Sequence, residues 1–236
     1  MKLDLNDVRY SNIDIEKGIK IPKFLTPKLA EDLGIHIGDG SLYWCNKNKV
    51  STEFFYSSDL QEEAYRRHIL SLKQELYDLP NFRRYQKGNE IQIRFCSLAM
   101  ATFYNKVFGF PIGKKSQIAK VPGAILKSND KDIISACLRG VVDTDFHFRI
   151  KSSNGYPQLC AGLSSKNLVE DLSFLLNKLK VKNTTRFNIK CFDKRFNRYN
   201  IKNLIYISGF ERVGAYLTKI GFNNPKHFLK LKMGSR

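Results

Sequence analysis

The strongest constraint on this chain is that it is written twice. Leu33-Gly34-Ile35-His36-Ile37-Gly38-Asp39-Gly40 aligns with Arg139-Gly140-Val141-Val142-Asp143-Thr144-Asp145-Phe146, which places Gly140 and Asp145 each 106 residues after Gly34 and Asp39. Phe108-Gly109-Phe110 returns as Ile220-Gly221-Phe222 after 112 residues, so the second copy carries six more. A repeat of this length predicts two like units that pack as a pseudo-symmetric pair within one chain.

The elements around both motifs follow one order. Thr26-Pro27 supplies a capping hydroxyl and a proline suited to a first helical position, which predicts a helix through Ile37. Strands are expected at 41–46 and 51–58, then a helix over 59–77 with Leu60, Ala64, Ile69, Leu72 and Leu76 on one face. A hairpin over 82–95 turns at Lys87-Gly88-Asn89-Glu90, and a helix over 98–107 closes the unit. The second copy reads as a helix over 130–144, strands at 146–151 and 159–163, a helix over 167–180, strands near 184–192 and 204–207, and a helix over 210–220. The fold class is therefore α+β, two αββαββα repeats. Residues 1–25 form an N-terminal extension, 26–110 the first repeat, 111–127 an ordered linker rich in Gly, Pro and Lys, and 128–236 the second repeat with a basic C-terminal segment.

Within the motifs, Gly34 and Gly38 are four apart, as are Gly140 and Thr144. Small residues at that spacing make a flat helix face on which two backbones come close together. Packing the two faces together brings Asp39 and Asp145 side by side at the helix C-termini, the unfavourable end of the dipole for an anion. Divalent cations relieve that repulsion. Paired hard-oxygen ligands, with the backbone carbonyls of Gly38 and Thr144 as further donors, suit metal-assisted phosphodiester hydrolysis. Asp143 aligns with Ile37 and reads as structural.

Charge points to the partner. Lys plus Arg number 40 against 22 Asp plus Glu, and from Leu172 onward only Asp193 and Glu211 face fifteen basic residues. Such a surplus favours an anionic ligand, most simply nucleic acid. The strand segments interleave basic and apolar residues, so one sheet face can be apolar beneath the helices and the other basic. The candidates for DNA contact are Lys47, Lys49, Arg83, Arg84, Lys87, Arg94, Arg149, Lys151, Lys166, Arg186, Lys190, Lys194, Arg195 and Arg198. Basic and amide side chains on β-ribbons can enter a major groove.

The doubled motif and the order of elements around it resemble the LAGLIDADG homing endonucleases of the monomeric, two-repeat type, over nearly the whole chain. The resemblance implies a saddle of two antiparallel sheets over duplex DNA, with the motif helices at the interface between repeats. It implies site-specific double-strand cleavage at a long asymmetric target, with short 3′ extensions. The implied cofactor is Mg²⁺, as two or three divalent ions, with Mn²⁺ or Ca²⁺ able to occupy the sites. Asp39 and Asp145 would each serve one strand. The family carries a basic residue after the last helix of each repeat. Counting from Gly109 and Gly221 gives Lys114 and Lys226, with Lys115 a substitute for the first. Phe146 departs from the family pattern, which has glycine there, and sets a question about the backbone at Asp145.

The alternative is an intron RNA maturase, or a nucleic-acid-binding protein of the same fold that no longer cuts. Gln92, Ser57 and Ser165 are candidates for positioning water, whereas His36 reads as core, and His68, His147 and His227 form no i, i+4 ligand pair. No Walker loop, dinucleotide fingerprint or catalytic triad is visible. No apolar run approaches the ~18 residues of a membrane span, and the charged first residues lack a signal peptide's apolar stretch. Five scattered cysteines without a Cys-x-x-Cys pair suit a reducing compartment. The expectation is a monomer without a required protein partner, intracellular in a prokaryote or organelle, and free-standing or intron-encoded.

Overall fold

A computed structural model describes residues 1–44, 52–59, 62–79, 82–88, 90–150, 155–193 and 197–228. The N-terminal segment carries a short helix, α1 (Asn12–Glu16), and is part of the first repeat's core rather than an appendage. Leu3, Ile19, Ile21 and Leu25 are buried. The Asp14 carboxylate accepts from the backbone N–H groups of Leu98 and Ala99, each at 3.1 Å. It thereby satisfies two open donors at the start of another helix.

The first repeat then runs α2 (Pro27–Gly38), β1 (Gly40–Trp44), β2 (Thr52–Asp59), α3 (Glu63–Tyr77), β3 (Arg83–Lys87), β4 (Glu90–Cys96) and α4 (Leu98–Thr102). The Thr26 side chain caps α2 by accepting from the Leu29 N–H. The helix expected over 98–107 begins as an α-helix and finishes in wider π-type turns over 103–107. The linker is ordered and holds α5 (Gly123–Leu126), with Val121 and Ile125 buried.

The second repeat runs α6 (Lys131–Asp145), β5 (His147–Ile150), β6 (Pro157–Leu163), α7 (Lys166–Lys178), β7 (Thr184–Asp193), β8 (Arg198–Ser208) and α8 (Phe210–Lys219). Asp130 caps α6, accepting from the N–H groups of Asp132 and Ile133. The stretch from 198 to 203, read from sequence as a basic connection, is instead strand. β8 pairs with β7 out to Asp193–Arg198.

Each repeat folds into one antiparallel sheet, ordered β1-β2-β4-β3 and β5-β6-β8-β7. Alternation assigns the faces. Leu42, Ile91, Ile93 and Phe95 in the first sheet, and Phe148, Leu159, Ile205 and Ile207 in the second, are buried beneath the helices. Their neighbours in sequence line the helix-free, open faces. No helix among the described residues is long and apolar enough to cross a membrane.

Candidate active site

The two motif helices touch backbone to backbone. A methyl group at Gly34 would lie 2.3 Å from the Cys137 carbonyl oxygen, one at Gly140 2.4 Å from that of Glu31, and one at Gly38 2.0 Å from the Thr144 hydroxyl. The small-residue face read from sequence is therefore the contact surface between α2 and α6. Both helices end at the same level: Asp39 caps α2, Asp145 is the last residue of α6, and both side chains are half-buried.

Burial raises both carboxyls, and the charge of Asp145 adds to the rise at Asp39. The Asp39 carboxyl is pushed up to about 7, first by burial and then by Asp145, with Lys226 and Lys115 opposing and Glu62 adding to the rise. Asp145 is also raised by burial, against Lys115, Lys226 and Lys202. Both carboxylates thus sit where an anion is costly without a compensating cation.

The lysines are placed unequally. Lys115 turns inward, and its ammonium donates to the carbonyls of Ile37 (2.5 Å), Gly38 (2.7 Å) and His36 at the C-terminal end of α2. Burial pulls it down to about 8, against the attraction of Asp145 and Asp39. Its neighbour Lys114 is exposed to solvent, so the residue beside the carboxylates is Lys115. Lys226 pairs with Glu62 at 2.9 Å and its charge acts on both Asp39 and Asp145. Sequence reasoning missed Glu62 and Lys202. Lys202 lies on the open face of β8, a strand the sequence pattern had shortened, and Glu62 is brought in by long-range packing.

The donor set suits a hard cation. Among the described residues no cluster of three or more His, Cys, Asp or Glu is placed to hold a metal. What the site offers is two carboxylates beside backbone oxygens, the ligand type preferred by Mg²⁺, Ca²⁺ and Mn²⁺. The Gly38 carbonyl already accepts from Lys115, while the Thr144 hydroxyl turns back to the carbonyls of Gly140 and Val141. Asp143 is structural as expected. It is fully buried, and its carboxylate accepts from the Asn223 N–H at 2.8 Å. His36 is buried between Tyr104 and Phe110. Ser165 is buried as the cap of α7, away from any water-positioning role.

Strand register sorts the predicted contacts. Arg83 pairs with Arg94 on the open face of the first sheet, where Arg94 also lies over the Tyr85 ring and bonds Gln92. Arg84 pairs with Ile93 and so faces α3, lining a pocket with Glu63 and Arg66. Arg149, Arg186 and Arg198 share the open face of the second sheet. Lys190 does not. One extra residue between Arg186 and Ile189, with Asn188 at φ 56°, inverts the alternation and sends Lys190 to the opposite face. Lys166 begins α7 in the helix layer, paired with Glu170 and lying over Phe187. Lys47, Lys49, Lys151, Lys194, Arg195 and the side chains of Lys87 and Ser57 lie outside the described residues.

Paired glycine-faced helices, two flanking antiparallel sheets and carboxylates at the helix ends define the LAGLIDADG fold, and this chain has it. The homing endonuclease I-DmoI, solved in complex with DNA and Ca, superposes with a TM-score of 0.59 at 18% identity, over 88% of this chain and 97% of that one. The homing endonuclease I-WcaI, bound to its DNA recognition sequence, gives 0.54 at 19% identity over 94% and 92%. The N-terminal LAGLIDADG domain of DUF199/WhiA gives 0.50 at 12% identity over 93% and 96%. In sequence, the chain is 29% identical over 224 residues to an A-type ATP synthase protein of Pyrococcus abyssi. That alignment covers 92% of this chain but spans a fifth of the relative's length. No family model matches the chain.

Proposed function

We propose that this chain is a site-specific DNA endonuclease that hydrolyses both strands of a long duplex target, leaving short 3′ extensions, with Asp39 and Asp145 as the centre of chemistry. The observation that carries the reading is the pair of half-buried carboxylates at adjoining helix ends, held against two lysines. Divalent cations, bound there through Asp39, Asp145 and neighbouring backbone oxygens, would polarise the phosphoryl group and activate water. The chain's own residues supply the rest. The glycine contacts fix the spacing of the carboxylates. Lys115, anchored on three helix-end carbonyls, and Lys226, held by Glu62, place positive charge where a phosphate gathers negative charge. The basic open faces hold the duplex across that centre through phosphate contacts.

The structural relatives named as homing endonucleases support this reading, as does the Ca in the I-DmoI complex. ATP synthesis is not proposed, because the shared segment is a fifth of the Pyrococcus protein, while the sequence carries no Walker loop.

The test is cleavage of a randomised duplex library with and without Mg²⁺, alongside the Asp39→Asn, Asp145→Asn double variant. Metal-dependent double-strand breaks at one recurring sequence, lost in the variant, are expected. Selective retention without cutting would replace the proposal with a binding-only protein, and neither outcome would point to structured RNA.

A further inference from the structure

We infer that Arg149 is a base-reading residue, set by Gln158 to recognise guanine in the half of the target that faces the second sheet. The inference deepens the endonuclease reading and rests on it. Arg149 stands on the open face of β5, four residues beyond Asp145, so at ~3.3 Å per residue its backbone lies at most about 13 Å from that of Asp145. Its Nε and Nη2 both donate to the Gln158 side-chain oxygen, at 2.9 and 2.6 Å. Gln158 is itself buried, 3% exposed, and its amide nitrogen donates to the Ser208 hydroxyl at 2.6 Å. The three residues, with Thr184, Arg186 and Tyr206, line one hollow of about 370 Å³ on the open face.

This geometry has a chemical consequence. A single oxygen bridging Nε and Nη2 uses the side edge of the guanidinium and fixes its plane. The end formed by Nη1 and Nη2 takes no part in that bridge. Two parallel N–H groups at a fixed angle match the O6 and N7 acceptors of guanine in a major groove, the commonest specific arginine contact. A phosphate contact needs no such fixed plane, because an oxyanion accepts from many directions. Immobilising the arginine beforehand also reduces the ordering cost on binding. The same device recurs in the first sheet, where Arg94 Nε donates to Gln92 at 3.1 Å while the guanidinium stacks on Tyr85 at 4.6 Å. At ~3.4 Å per base pair, the Arg149 distance sets the guanine within about four pairs of the cut.

The experiment is to select bound duplexes from a randomised library with the unsubstituted chain, Arg149→Lys and Gln158→Ala, in Ca²⁺ to hold binding apart from cutting. The unsubstituted chain should prefer guanine at one position near the cut by about 10- to 100-fold. Arg149→Lys should erase that preference and leave the other positions intact. Gln158→Ala, which changes no charge, should weaken the same position and leave the salt dependence unaltered. A guanine preference that survives in Arg149→Lys, with at most a uniform change of affinity across the library, would make Arg149 a phosphate contact and overturn the inference, because lysine keeps the charge a phosphate needs but not the fork that guanine needs. An unchanged profile in both variants would also overturn it. No selective retention by the unsubstituted chain would sink the endonuclease reading as well, and so separates the two failures.

Discussion

Replacing Gly140 with alanine tests whether the two repeats are held by backbone contact. The added methyl group would lie 2.4 Å from the Glu31 carbonyl oxygen, 2.7 Å from the Ile35 nitrogen and 3.0 Å from the Gly34 carbonyl carbon. All three are backbone atoms of α2, so no side chain can swing aside, and the helices must separate by about 1 Å to restore ordinary contact near 3.5 Å. Overpacking of this kind costs about 1–3 kcal/mol, and rigid neighbours put Gly140→Ala at the upper end. Against this, alanine gains about 1 kcal/mol of helix propensity over glycine. The net expectation is a loss of about 2 kcal/mol. For a chain of this size that lowers Tm by about 4–8 °C. Gly214 in α8 is the control, because a methyl group there meets nothing within 4 Å. Gly214→Ala should raise stability by about 0.5–1 kcal/mol. Thermal and urea unfolding of both variants decide the matter. A Gly140→Ala protein as stable as Gly214→Ala would refute backbone-to-backbone packing of α2 on α6.

Three further outcomes follow from charge placement. Ca²⁺ should raise Tm, more at pH 8 than at pH 6, because protons compete for an Asp39 carboxyl held at about 7; an equal shift in the Asp39→Asn, Asp145→Asn variant would place the ion elsewhere. Glu31 is buried, yet its carboxyl is held below the ordinary 4.5: burial pushes it up, and His68, Arg139 and Asn223 outweigh that. Its stabilisation is therefore complete above pH ~4.5 and lost as pH falls through its folded value. The stability gap to Glu31→Gln should be open at pH 7 and shrink toward pH 3, and a constant gap would count against the network. Lys73 and Asp32 form a fully buried ion pair at 2.6 Å, with Tyr77 and Tyr104 donating to the same carboxylate. Lys73→Met should cost about 3–5 kcal/mol by stranding Asp32, and Asp32→Asn in the same chain should recover part of that; strictly additive losses would mean the pair is not coupled.

What the sequence made legible was local or repeated. The 106-residue register identified both motif helices, and Thr26 marked the start of the first because capping is decided within four residues; the second was read as starting at Asp130, which is its cap, one residue ahead of the helix. The open-face arginines were only half legible. Arg83 and Arg84 are adjacent and must face opposite sides, but which one faces out depends on pairing with β4. Lys190 failed for a related reason, since a bulge at Asn188 inverts alternation without changing composition. Lys115 over Lys114, and the arrival of Glu62 and Lys202, depend on how the linker and the two repeats dock. Side chains tens of residues apart settle that docking, and a periodicity carries no trace of it.

Phe146 shows how the two repeats reach one carboxylate placement by different local means. Glycine at the matching position, Gly40, suggested a left-handed backbone that phenylalanine would resist. Phe146 instead has φ −92° and ψ 155°, ordinary extended values, and Gly40 is not among the residues with positive φ. Space explains the glycine. A methyl group on Gly40 would lie 2.3 Å from the His36 ring nitrogen, so a large residue one turn earlier requires a small one here. In the second repeat the pair is exchanged: smaller Val142 takes the place of His36, and Phe146 fills the core. The two solutions differ in which position supplies bulk and agree in where they leave Asp39 and Asp145. Phe146 therefore gives no support to a protein that has lost one of its cuts. In the proposed endonuclease, a difference between the two strand cuts has to be sought in the lysines, where Lys115 is bound to three neutral carbonyls and Lys226 to a carboxylate that cancels its charge.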